Sequence, residues 1–96
     1  MTAFSERVIK IIKAIPPGQV ASYGQIAAMA GNPKAARQVA RLLHSSSEKQ
    51  DLPWHRVVNR EGKISLQGEG AVIQRGLLEA EGIEFDLDGK VKTLEL

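Results

Sequence analysis

The side chains most suggestive of chemistry crowd into one run, Leu52-Pro53-Trp54-His55-Arg56-Val57-Val58, where the sole tryptophan stands beside a histidine and an arginine after a proline-stiffened approach. With no cysteine in the chain, a thiol nucleophile, a disulfide framework and a Cys-containing zinc site are excluded together. His44 and His55 are the only histidines and make a weak basis for a metal site, so no metal or cofactor is expected. Gly68 and Gly70 lack the third glycine of a dinucleotide fingerprint, and neither a P-loop nor a nucleophile-elbow motif occurs. Conventional catalytic constellations are therefore missing around the one unusual segment.

The elements that must position that segment can be read from periodicity. Phe4, Val8, Ile11, Ile12 and Ile15 recur at helical spacing with Arg7, Lys10 and Lys13 opposite, predicting an amphipathic helix that Pro16-Pro17-Gly18 ends. After the extended piece Gln19-Val20-Ala21, Ser22 and Gln25 have the spacing of a capping box for a second helix through Ala30, closed by Gly31. Asn32 as cap and Pro33 at the first position predict a third helix from Pro33 to about His44. Its inward face would be Ala36, Val39, Ala40 and Leu43, and its outward face Lys34, Arg37, Gln38 and Arg41. Two short helices joined by a glycine-containing turn, the second with a basic face, fit a helix-turn-helix over about 22–44.

Residues 45–52 read as a polar surface loop, and Val57-Val58 with Lys63-Ile64-Ser65 as a short hairpin around Asn59-Arg60-Glu61-Gly62. Gly68 and Gly70 mark another loop, after which Ile73, Gly76, Leu77 and Ala80 set out the apolar side of a fourth helix ended by Gly82. Ile83, Phe85 and Leu87 alternate before the turn Asp88-Gly89, with Val91 beginning a return strand. The expected fold class is α+β, mainly helical: a winged-helix-like, helix-turn-helix domain formed by residues 1–96 as one unit.

Charge supports an anionic partner. Residues 32–60 carry six bases against two acids, whereas residues 61–96 carry four against eight, so a net of +2 hides a basic part and an acidic part. Such asymmetry suits nucleic acid better than a small metabolite, although an ordinary mixed surface has the same composition. No apolar run is long enough to span a bilayer and the N-terminus lacks a signal-peptide pattern, so a cytoplasmic protein without membrane contact is expected.

The segments IPPGQVASYGQIAAMAGNPKAARQVARLL, PWHRVV and LLEAEG hold the order and spacing of the DNA-binding domain of the O6-alkylguanine-DNA alkyltransferases, and the chain resembles that domain from the first helix to Gly82. Those enzymes carry Pro-Cys-His-Arg, whose cysteine accepts the alkyl group. Here Trp54 takes its place, the mark of a sister group, the alkyltransferase-like proteins. The resemblance implies a non-enzymatic sensor that binds O6-alkylguanine in duplex DNA by flipping the nucleotide, without alkyl transfer, and marks it for nucleotide excision repair proteins. It assigns Tyr23 to rotating the target nucleotide and Arg37 to filling the vacated stack, on a duplex approached through the minor groove. Lys34, Gln38 and Arg41 would complete the DNA face. Pro53, Trp54, His55, Arg56, Val57 and Gln67 would form the lesion pocket, with His55 and Glu81 as a structural hydrogen-bonded pair. Gln67 departs from the aromatic or arginine found there in relatives and cannot supply a cation–π contact.

Without the resemblance, Tyr23 reads as an aromatic packing at a helix start, Arg37 as a phosphate contact and Trp54 as a core residue. A helix-turn-helix transcription regulator reading undamaged DNA through Lys34, Gln38 and Arg41 is the alternative. It would need a dimer interface, and with no obvious exposed apolar seam the chain is expected to be a monomer. A residual transferase or a glycosylase using His55 or Glu81 is a further alternative.

Overall fold

The computed structural model describes residues 2–92. Helix α1, Ala3–Lys13, starts at Thr2, whose hydroxyl accepts the Ser5 N–H at 3.0 Å, and buries Val8, Ile9 and Ile12. Ile15, beyond the helix end, is buried as well. Strand β1, Ala21–Ser22, leads directly into α2, Tyr23–Met29, and the expected capping box is formed in full: Ser22 Oγ accepts from Gln25 N–H while Gln25 Oε1 accepts from Ser22 N–H. At the other end of α2, Arg7 of α1 donates from Nε to the Ala30 carbonyl at 2.7 Å, placing a cation on the free carbonyls of the helix end. Gly31 at φ 101° then turns the chain through a conformation only glycine adopts freely.

Helix α3 is Ala36–Ser46, so it starts and ends later than expected. Asn32 does not cap it. Its side chain accepts the Lys34 N–H and its carbonyl accepts the Ala35 N–H, closing a turn that includes Pro33. Ser45 and Ser46, read as loop, continue the helix, with the Ser45 hydroxyl donating back to the Leu42 carbonyl. Val39 and Leu43 are buried as expected, while Ala36 and Ala40 are half-buried. Leu52, assigned to the same polar loop, is a core residue at 4% exposure.

Strand β2, Val57–Val58, follows a single 3₁₀ turn at Trp54–Arg56. It pairs in parallel with β1, Ala21 opposite Val57 and Ser22 opposite Val58, rather than forming a hairpin with Lys63-Ile64-Ser65. The turn after it does exist, since Asn59 N–H donates to the Lys63 carbonyl at 2.9 Å. The strand nevertheless goes to β1 because its two valines point to opposite sides and both sides are apolar. Val57 and Ala21 belong to one core with α1, α2 and α3, whereas Val58 and Val20 belong to a second core with Leu78, Ile83 and Val91. The two-stranded sheet is the partition between them.

Helix α4, Glu69–Ala80, takes in Gly70, where the sequence pattern predicts loop, and Gly68 stands before it as the N-cap. Its buried residues are Gln74 and Leu78, while Ile73 and Leu77 of the expected inward face are 49% and 40% exposed. Gly82, at φ 89°, stops the helix as expected, with Ile83 N–H donating back to the Leu78 carbonyl. Beyond it, Phe85 bridges Val91 in antiparallel fashion around the Asp88-Gly89 turn, and Lys90 bridges Lys63. Leu87 lies fully exposed at this tip. Among the described residues no helix is long and apolar enough to cross a membrane.

Candidate functional site

The Trp54–Arg56 turn is held from below by α4. Gln74, 2% exposed, donates from Nε2 to the carbonyls of His55 (3.1 Å) and Val57 (2.9 Å), so the amide both fixes the turn and satisfies two acceptors facing the core. Glu81, at the end of the same helix, receives His55 Nε2 at 2.8 Å and a two-pronged contact from Arg56, Nε at 3.0 Å and Nη2 at 2.7 Å. The third guanidinium nitrogen, Nη1, reaches the Ile15 carbonyl at 2.9 Å, and Gly18 N–H approaches the carboxylate at 3.4 Å. One carboxylate thus ties the turn to α4 and to the segment after α1. The Arg56 hydrogen bonds, reinforced by His55 and the Gly18 amide and opposed by partial burial, hold the Glu81 carboxyl down to about 2. The same contact raises Arg56.

Above the turn opens a cavity of about 470 Å³. Trp54 and Val57 border it from the turn and β2, and Tyr23 from the start of α2. Ala40, Leu43, His44 and Ser47 contribute the α3 side, Gln74 the base and Leu66 the opposite rim. The Tyr23 hydroxyl lies 3.3 Å from Ser65 Oγ, which links the α2 start to the loop carrying Leu66. The Trp54 ring stands edge-on to His55, centroids 6.2 Å apart, and packs against the α1–α3 core with its remaining face. An apolar, open-sided space with a few polar groups on its margin is suited to a flat heterocycle rather than to an extended polar chain.

Of the residues singled out from sequence, Tyr23, Trp54 and Val57 meet at this cavity. His55 and Arg56, grouped with it from sequence, turn their side chains away to Glu81, because a carboxylate that is 17% exposed takes both donors. Pro53 precedes the turn as its N-cap, and Gln67 is exposed beside Leu66 without lining the cavity. Arg37, Gln38 and Arg41 are exposed on α3, and Lys34 is exposed in the turn before it. Sequence reasoning missed Gln74, Leu66, His44 and Ser47. Gln74 had one detectable signal, its place four residues before Leu78 on what proves to be the buried side.

The family described as "6-O-methylguanine DNA methyltransferase, DNA binding domain" matches residues 3–83, which include every element from α1 through α4. The chain belongs to that family. It is 48% identical over 89 residues to the DNA base-flipping protein of Escherichia coli, covering 93% of this chain and 69% of that one. It is 46% identical over 91 residues to the DNA base-flipping protein of Vibrio parahaemolyticus, covering 95% and 91%. Among solved structures it is similar to Schizosaccharomyces pombe Atl1 in complex with damaged DNA containing O6-carboxymethylguanine, with a TM-score of 0.79, 36% identity and coverage of 100% of this chain and 92% of that one. The matched residues 3–83 include Tyr23, Trp54 and Val57, which meet at the cavity, and Glu81, which anchors the turn beneath it.

Proposed function

We propose that the protein is a sensor of O6-alkylguanine in duplex DNA that turns the damaged nucleotide into the cavity beside Trp54 and holds it there without chemistry. The observation that carries this reading is the apolar cavity bordered by Trp54 and Tyr23, and the resemblance of Pro53-Trp54-His55-Arg56 to the family's Pro-Cys-His-Arg supports taking it as the counterpart of the reactive centre. Alkyl transfer requires a thiolate to attack the alkyl carbon, and the indole that replaces it is no comparable nucleophile. His55 and Glu81, the remainder of a transferase relay by resemblance, are engaged with each other and with Arg56, which supports a structural role for both. A guanine alkylated at O6 pairs poorly, so extruding it costs less than the few kcal/mol needed for a normal base, and selectivity begins there. Arg37 fills the vacated stack, while Lys34, Gln38 and Arg41 hold the backbone. The protein acts as a monomer, and the held lesion on bent DNA is the signal read by nucleotide excision repair proteins.

The test is a titration, at stated salt, of two duplexes that differ only by one O6-methylguanine, following the fluorescence of Trp54 and then the protein mass. Tighter binding of the lesion duplex, an altered Trp54 signal and an unchanged mass are expected. Equal affinities with a silent Trp54 would overturn the reading, and a mass gain would restore the transferase alternative.

A further inference from the structure

A second groove, of about 310 Å³, lies on the far side of Leu66 from the cavity beside Trp54. Leu66 belongs to the lining of both spaces. Ile64, Val72 and Phe85 give the groove apolar surface, Lys63 and Asp88 stand on its lining beside them, and Arg75 is stacked over the Phe85 ring at 4.4 Å. Leu66 itself is 44% exposed, and it packs over Gly70 in the first turn of α4: a Cβ built at Gly70 would lie 3.4 Å from the leucine Cδ1. Leu66 thus rests on the glycine backbone with ordinary contact distance to spare for no more than a methyl group. A leucine exposed on one side and seated on a bare glycine on the other changes rotamer rapidly and at little cost.

We infer that Leu66 is a movable partition between the two spaces and sets which O6 substituents the protein accepts. This rests on the lesion reading above. A methyl group fits with Leu66 in place. A longer aliphatic or benzylic group displaces the leucine and lies in the second groove, where Ile64, Val72 and Phe85 offer apolar contact in place of water. Substituents that bury apolar surface in this groove gain affinity from residues that never touch the base, so Leu66 determines specificity.

The experiment measures anisotropy titrations of labelled duplexes carrying guanine, O6-methylguanine or O6-benzylguanine with the unmodified protein, Leu66→Ala and Val72→Trp, each checked by circular dichroism for an unchanged fold. Removing the partition is expected to raise the benzyl-to-methyl affinity ratio by about tenfold, and filling the groove from Val72, which lines only the second space, to lower it by about tenfold. A ratio that moves by less than about twofold in either variant overturns the partition while leaving the lesion reading intact. Should the unmodified protein fail to prefer either lesion over guanine, the lesion reading itself falls, and the partition with it.

Discussion

Trp54 and Glu81 divide the work of the site between a wall and an anchor. The indole borders the cavity from a turn that is otherwise spoken for, since the polar side chains next to it both point to Glu81. Trp54→Ala should therefore mainly lower the preference for lesion over normal duplex, whereas Arg37→Ala, on the exposed side of α3, should weaken both by similar factors. Parallel titrations of the two variants check this, and equal losses for both duplexes in Trp54→Ala would remove it from the pocket. Glu81 makes a separate prediction in pH. Its carboxyl is held from the ordinary 4.5 to about 2, so it stabilises the fold above the ordinary value and that contribution fades as pH falls from about 4.5 towards 2. Glu81→Gln should lose about 2 kcal/mol at neutral pH, because a guanidinium loses its partner, and should show a flatter acid limb between those values in urea unfolding. A variant as stable as the parent at pH 7 would mean that the Arg56 contact contributes nothing net.

At the scale of elements, α4 is a brace for the turn that carries Trp54. Gln74→Leu keeps the volume but leaves the His55 and Val57 carbonyls without their donor, so a loss of about 1–3 kcal/mol in urea unfolding is expected. Ser22→Ala, which removes one half of the capping box, should lose about 1 kcal/mol, read in the same way. These two cases also show what periodicity can reveal. The capping box was legible because its partners lie three residues apart and depend on nothing else. The burial of α4 was not, because Ile73 and Leu77 suggest an inward face by hydropathy while the true face is chosen by a glutamine whose acceptors lie 17 and 19 residues away. The parallel pairing of β2 was hidden for the same reason, since its partner is in another part of the chain and a local turn invited a hairpin. The motif grouped Trp54 and Val57 at one pocket, yet it could not foresee that Tyr23, assigned to the DNA face, lines that cavity too or that Arg56 leaves it for Glu81.

For the whole molecule, the separation of charge makes a prediction about how it would meet an anionic duplex. The exposed cations Lys34, Arg37 and Arg41 are gathered on and just before α3, whereas the chain from residue 61 onward is net acidic. Arg41→Gln should reduce the slope of log affinity against log salt by about 1, while Glu84→Gln should leave it nearly unchanged. Equal effects of the two would indicate a general field rather than a face. The sheet that parts the two cores carries a consequence of another kind. With only two residues per strand, it is the thinnest joint in the molecule, and Gln74 and Glu81 hold the Trp54 turn from the C-terminal side of it. Amides of α4 and of the segment through Val91 should therefore exchange with solvent as a cooperative unit distinct from α1–α3. Each opening of that unit would slacken the turn beneath Trp54, so the cavity would breathe on the timescale of local unfolding, and a bound nucleotide would be seen as slowed exchange along the whole of α4, well beyond Gln74 at the cavity base.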